Sequence, residues 1–421
     1  MSLAEQLERL GVSPRKREAL TLNHTYLMPN RVEAWVGAGV PLVIGRREGY
    51  HLWDLDGLQL QDLHLNGGTY NLGHRHPEMV AALSEALSTL DVGNHHFPSE
   101  ARGRLAKRLA ELTPGDLHYS VFTPSGGEAN DVAIKSARRA TGRRKIVSLE
   151  AGYHGASGLS GAAGDDAEAT WFLSAYPEEF AKVPFGDLDA VEKALSARDV
   201  AAVLIEPIPA TFGFPIPSKD YLPGLRTLCD RYETLLVADE VQTGLGRSGR
   251  LWAVDAFGVE PDMLISGKGL GAGLYPMAVV VMNRRVGQWL HERGWGYVST
   301  FGGAELGCVV ALHALELCAS EQTGRHVSEI STQLADGLAD LQSRHPFLCD
   351  VRQQGLIVGL GFDDPNGGLK MSAALYQTGL WAMFAGFDRR YLQWKTGLLV
   401  DRGFVDEALE KLETAVKRVA G

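Results

Sequence analysis

The chain alternates short, unbroken apolar runs with longer stretches of helical period, and two of the runs stand out by how they end. Leu235–Ala238 stops at Asp239-Glu240, and Met263–Ile265 stops at Ser266-Gly267-Lys268-Gly269. Runs of this length without polar interruption read as strands of a parallel sheet covered on both faces. Strand Tyr119–Thr123 leads to a helix over 127–140, and strand Lys145–Leu149 to Gly152-Tyr153-His154-Gly155. A helix over 187–197 precedes strand Ala201–Ile205, and helix Tyr221–Tyr232 runs into Leu235. This alternation predicts an α/β fold on a mostly parallel, doubly wound sheet.

The flanks read differently. Ser2 and Glu5 form a capping box that opens a short helix ending near Gly11. Leu42–Ile44, Tyr50–Asp54 and Leu58–Asp62 predict an antiparallel meander, with turns at Arg47-Glu48-Gly49 and Asp56-Gly57. A helix to about Leu90 follows the LGHRHP stretch at 72–77, and another spans Ser99–Leu112. Beyond Gly303, helices over 304–319 and 327–343, strand Leu356–Phe362 and helix Val405–Val419 predict a smaller α+β domain. The expected division is an N-terminal segment over 1–64 that joins the small domain, a large domain over 65–310, and the small domain over 311–421.

With 421 residues, two domains are the default. A net charge of −10 opposes a nucleic-acid or anionic-membrane partner, because both require a basic field. The basic clusters Arg138-Arg139 and Arg143–Lys145 read as solvated faces. Cys229, Cys308, Cys318 and Cys349 are widely spaced, match no metal pattern and suit buried thiols in a reducing compartment. No apolar stretch suits a signal peptide or approaches the ~20 residues of a membrane span. The expectation is a cytoplasmic protein that binds no metal.

Candidate chemistry gathers at the strand ends. Gly267–Ala272 formally fits a dinucleotide fingerprint, but Leu274-Tyr275-Pro276 and the strand-like Ala278–Met282 follow it where a helix would have to open. A nicotinamide oxidoreductase is therefore a weak rival. Thr123–Ala129 is a better phosphate site, with Ser125 as cap and Gly126-Gly127 baring backbone N–H groups at a helix start. Lys268 follows an apolar strand among glycines, where loss of solvent makes an amine nucleophilic. Asp239 is an acid at a strand end, Tyr153 a flat aromatic, and His154 reads as a hydrogen-bonded structural histidine. Lysine, acid, aromatic and phosphate cradle together are what pyridoxal phosphate requires: an amine for its aldehyde, an anion for its ring nitrogen and a stacking face.

At these residues the sequence resembles the class III aminotransferases, pyridoxal 5'-phosphate enzymes of fold type I. The likeness runs from about Gly39 to the C-terminus and rests on SGGEA (125–129), GYHG (152–155), IEPI (205–208), LLVADEVQTGLGRSG (235–249), PDMLISGKGLGAGLYP (261–276) and STFGG (299–303). It implies Lys268 as the Schiff-base lysine and proton shuttle, and Asp239 as partner of the pyridine nitrogen. Gln242 would meet the ring hydroxyl, Tyr153 would stack on the ring, and Gly126 and Gly127 would bind the phosphate beside Ser125. Glu206 would line the same rim. Thr300 would reach the phosphate of a neighbouring subunit, which implies a homodimer with active sites at the subunit interface.

Three departures bear on the substrate. Ala156 follows GYHG where ornithine-type members carry arginine, and Glu206–Gly213 lacks the second acid of EP-x-Q-G-E-G-G. Gln393 stands where the resemblance places a carboxylate-binding arginine, a charged contact worth about 1.5–3 kcal/mol. Lys395, Arg31 and Arg389 are the candidate substitutes. The expected function is transfer of an amino group from a primary amine or amino acid to an oxo acid or aldehyde. The alternative is an isomerase on the same fold, an aminomutase or amino-acid racemase.

Overall fold

The computed structural model describes all 421 residues. Its largest sheet has seven strands: β1 (Leu117–Thr123), β2 (Lys145–Leu149), β3 (Phe180–Val183), β4 (Val200–Ile205), β5 (Leu235–Asp239), β6 (Met263–Ser266) and β7 (Ala278–Asn283). Their order is β1-β7-β6-β5-β4-β2-β3, and only β7 runs antiparallel to its neighbours. Strands β4 to β7 are buried at every position, which is why their sequences carry no polar alternation. Helices cover both faces, and the sheet presents the carboxyl ends of β1, β2, β4, β5 and β6 along one rim.

A second, antiparallel sheet joins Leu348–Gln354, Ile357–Phe362, Tyr391–Lys395 and Met383–Phe384. Helices Glu321–Arg344, Gly367–Thr378 and Arg402–Ala420 pack together against this part of the chain. The N-terminal meander is Ile44–Glu48, His51–Asp54 and Gln59–Asp62, and its last strand pairs in parallel with Leu380-Trp381. Residue 310, the expected domain limit, lies inside helix Glu305–Ala319, which packs on helices Pro77–Ala86 and Glu100–Leu112.

Several expectations shift. The first meander strand starts at Ile44 and continues to Glu48, so the turn sits at Gly49-Tyr50. Every residue of that strand is exposed, and no apolar alternation marks it. Helices Pro14–Tyr26 and Pro29–Gly37 escape a reading by periodicity, the first because its sequence is largely polar. Arg143 is not on a solvated face: its Nη1 donates to the carbonyls of Val200 (3.2 Å) and Tyr232 (3.0 Å). Cys349 is exposed, whereas the other three cysteines are buried.

Lys16 anchors the N-terminal segment through a buried ion pair. Lying within a basic run, it is only 3% exposed and pairs with the buried Asp54 of the meander, with Asp56 3.7 Å away. Removing one partner of a buried pair leaves the other charge unmatched, at a cost of about 3–5 kcal/mol. Lys16→Met is therefore expected to lower the thermal unfolding midpoint. An unchanged midpoint contradicts the pairing.

Candidate active site

The rim is where the chemistry-bearing residues meet, as expected for an open α/β sheet. A cavity of about 280 Å³ lies there, and Ser125, Tyr153, Glu206, Asp239, Gln242 and Lys268 line it together with Gly126 and Gly127. They come from the ends of five strands: Ser125, Gly126 and Gly127 after β1, Tyr153 after β2, Glu206 after β4, Asp239 and Gln242 at β5, and Lys268 after β6.

The β1 loop turns into helix Gly126–Thr141 with Ser125 as N-cap, its side chain accepting from Glu128 N–H at 3.2 Å. Ala129 N–H bonds the Ser125 carbonyl, so the N–H groups of Gly126 and Gly127 are left for another acceptor. The approach is tight by design. A Cβ on Gly127 would lie 3.3 Å from Ser160 Oγ, and one on Gly155 would lie 2.7 Å from Gly127 Cα. Glycine at both positions keeps an anion-sized space open against the helix end.

Asp239, 4% exposed, ends β5. Its Oδ2 accepts from Asn130 Nδ2 (2.9 Å) and His154 Nδ1 (2.8 Å), and its Oδ1 from Val241 N–H (3.1 Å). Glu206, ending β4, accepts from the backbone N–H of Tyr153 (2.9 Å) and Ala210 (3.3 Å). Burial pushes its carboxyl up to about 7, with the nearby Asp239 adding to the rise and His154 opposing it.

Lys268 leaves β6 in the left-handed backbone region, with φ of 46°. Burial holds its amine below the ordinary lysine value; Asp239 and Glu206 oppose that shift and Arg247 reinforces it, with no hydrogen bond contributing. The side chain lies across Leu65–Gly68, where Leu65 to Gly68 all have positive φ. A Cβ on Gly67 would meet Lys268 Cε at 2.7 Å, and one on Gly68 would meet the Arg247 guanidinium carbon at 2.5 Å. Arg247 is fully buried and donates to the carbonyls of Gln242 (2.8 Å) and Gly68 (2.5 Å). The reading by motif passes over Asn130, Gly67-Gly68 and Arg247 as site residues. The paired glycines after Leu65 are the one local signal that a close approach was needed.

The remaining candidates are not brought to this cavity. Thr300 is exposed in the loop before helix Glu305–Ala319. Arg31 is exposed on helix Pro29–Gly37 and borders a separate apolar cavity of about 370 Å³, and Arg389 is exposed in a turn. Gln393 and Lys395 are buried (5% and 0% exposed) but bond each other, Lys395 Nζ to Gln393 Oε1 at 2.6 Å, and neither lines the cavity. Two residues apart on one strand, they share a face and satisfy each other first.

A free buried amine, a hydrogen-bonded acid, an aromatic face and a glycine-lined helix start fit pyridoxal phosphate, and with this sheet they define a fold type I pyridoxal-phosphate enzyme. Residues 34–416 match the family model described as Aminotransferase class-III. The chain belongs to the class III aminotransferases and is a transaminase. An uncharacterized aminotransferase of Archaeoglobus fulgidus is 43% identical over 96% of this chain and 94% of its own. A putrescine aminotransferase of Pectobacterium atrosepticum is 30% identical over 96% of this chain and 90% of its own. The ornithine aminotransferase of Toxoplasma gondii, in a structure described as having partial occupancy of PLP at the active site, superposes with a TM-score of 0.89 at 25% identity, covering 100% of this chain and 98% of that one.

Two expectations follow from the geometry. Gly67→Ala forces Lys268 aside and places alanine at a φ of 70°, so activity should fall about 10- to 100-fold with the fold retained. Native activity in that variant contradicts the contact. For Glu206, the folded carboxyl near 7 lies above the ordinary 4.5, so between these values the folded chain holds a proton that the unfolded chain has released. Stability from this group is thus present below the lower value and lost as pH rises through the upper one. Glu206→Gln should gain in melting temperature relative to the native chain between pH 5 and pH 8; a difference that does not change with pH contradicts the assignment.

Proposed function

We propose that the chain moves an amino group from a primary amine or amino acid to an oxo acid or aldehyde, with Lys268 as the amine that holds the cofactor and carries the proton. Pyridoxal phosphate, when bound, supplies a carbonyl carbon that takes up amines and a ring that draws electrons from the carbon bearing nitrogen. The observation that carries this reading is the meeting of Lys268 and Asp239 in one cavity with the bare helix start at Gly126-Gly127.

Each residue then has a part. Gly126 and Gly127 hold the phosphate through their N–H groups, with Ser125 beside them. Asp239, fixed by Asn130 and His154, would hold the ring nitrogen, and Gln242 would hold the ring hydroxyl. Tyr153, 42% exposed, offers its ring as the stacking face. Glu206 completes the acidic side of the rim. Lys268 would hold the cofactor through its amine and, when free of it, would serve as the base that takes a proton from the substrate carbon and as the acid that gives it back. Its depressed pKa keeps more of the amine unprotonated near neutral pH.

The exposure of Thr300 fits a role in the site of a second subunit, so the working unit is a homodimer with Thr300 crossing to the partner's phosphate. The pairing of the meander with Leu380-Trp381 as a fourth strand supports grouping the N-terminal segment 1–64 with the small domain over 311–421. No helix is long and apolar enough to cross a membrane, and the cytoplasm is the proposed compartment.

The test is a half-reaction. Holoenzyme mixed with a panel of amines and amino acids, without acceptor, should release one carbonyl product per active site and leave the cofactor in its amine form. Lys268→Ala should lower that rate at least 1000-fold by this account of proton transfer, on the order of general acid–base catalysis combined with loss of the nucleophile. Exchange of the α-proton and loss of chirality, with no carbonyl released, would mark an isomerase instead.

A further inference from the structure

Four successive residues with positive φ are costly, and two of those in the Leu65–Gly68 turn, Leu65 (51°) and Asn66 (49°), carry side chains. The turn sets the place of Lys268 by contact: a Cβ on Gly67 would meet Lys268 Cε at 2.7 Å and Gln242 Oε1 at 3.3 Å. No hydrogen bond holds the Lys268 amine, so whatever fixes the turn also fixes the lysine. At its exit, Arg247 Nη1 donates to the Gly68 carbonyl. At its entrance stands Asp62, the buried last residue of the meander strand Gln59–Asp62. Asp62 Oδ1 accepts from the backbone N–H groups of His64 (3.0 Å) and Leu65 (2.8 Å), and its Oδ2 from His74 Nε2 (2.9 Å). His74 is buried in turn, with the Tyr70 ring stacked on it at 3.9 Å between centroids and its backbone bridged to Gly49.

We propose that Asp62 is a positioning residue for transamination: its carboxylate pins the entrance of the Leu65–Gly68 turn, His74 braces that carboxylate, and the turn so fixed holds Lys268 and Gln242 in place. A side-chain oxygen that takes two successive N–H groups lets a buried chain turn sharply without leaving donors unmatched. Here it does so just before two residues that lack the freedom of glycine, and it brings the bare edge of Gly67 against the lysine. The His74 side chain has no second hydrogen bond, its Nδ1 being without a partner, so holding Asp62 is the one polar task it performs. Neither Asp62 nor His74 lines the cavity, and both therefore act through the backbone of the turn rather than on a ligand. A carboxylate oriented by a histidine and committed to two donors is a rigid anchor, because moving it breaks all three bonds together.

The inference rests on Lys268 being the cofactor lysine, and its test separates the two. Visible circular dichroism of the holoenzyme, which reads how the bound cofactor is held, is measured together with kcat and KM for the native protein, Asp62→Leu, Asp62→Asn and His74→Leu, each below its thermal midpoint. Asp62→Leu should lose about half of the visible signal per bound cofactor and about 10-fold in kcat, with KM within about threefold of the native value. Asp62→Asn keeps an acceptor oxygen for the turn and should recover most of both losses. A folded Asp62→Leu with native signal and kcat overturns the proposal, since a merely structural carboxylate would move only the thermal midpoint. An Asp62→Asn no better than Asp62→Leu overturns it as well. If Asp62→Leu does not fold, His74→Leu decides: it removes the brace but leaves the acceptor, and should lower signal and kcat in the same direction, the latter by about threefold. Native values in that variant overturn the proposal. If borohydride reduction of the native holoenzyme fixes the cofactor on a peptide without Lys268, the assignment of Lys268 itself fails.

Discussion

The whole rim is arranged to keep one amine out of water without giving it a partner. Lys268 sits in a left-handed backbone position after a fully buried strand, and its methylenes fill the place of a missing Cβ on Gly67. An unpaired buried charge is costly, and an amine answers that cost by giving up its proton. The strained φ, the glycine turn and the uncompensated cations serve this condition. Local strain of this kind persists only where packing over-determines it. Here the packing comes from the seven-stranded sheet on one side and from strand Tyr391–Lys395 of the second sheet on the other.

The acids are treated in the opposite way. Asp239 receives three N–H donors and Glu206 two, so both are oriented before any ligand arrives. Their supports come from loops after β2, β4 and β5 and from the first turns of helix Gly126–Thr141. A preorganised acid and an unsupported amine in one cavity give the site its polarity, and they explain why five strand ends are needed to build it. Residues that act on the acid, such as Asn130 and His154, are as much part of that device as the acid itself.

Much of this was legible in the sequence. Strand Lys145–Leu149 is found at its expected limits, and the other expected strands of the seven-stranded sheet within a residue or two, because fully buried strands have no polar interruption to blur them; the edge strand Phe180–Val183, only half buried, was not anticipated. The motif residues 125–127, 153, 206, 239, 242 and 268 converge on one cavity, since parallel strands deliver their ends to the same rim. What stayed hidden has a physical reason in each case. Helix Pro14–Tyr26 shows no strong apolar face, and Lys16 within it is buried by a charge 38 residues away. Gln393 and Lys395 were read as reaching for a substrate, but their pairing inside the strand depends on register and burial, which no local pattern carries. Arg31 was a candidate only by charge, and the fold puts it on the outer helix.

The central claim is that Lys268, alone among the buried amines, holds the cofactor. Borohydride reduction of the native holoenzyme, followed by proteolysis and mass spectrometry, tests it directly. The account predicts the added mass of the reduced cofactor on the peptide that contains Lys268 and on no other. The same mass on the Lys395 peptide, or on neither, would contradict it.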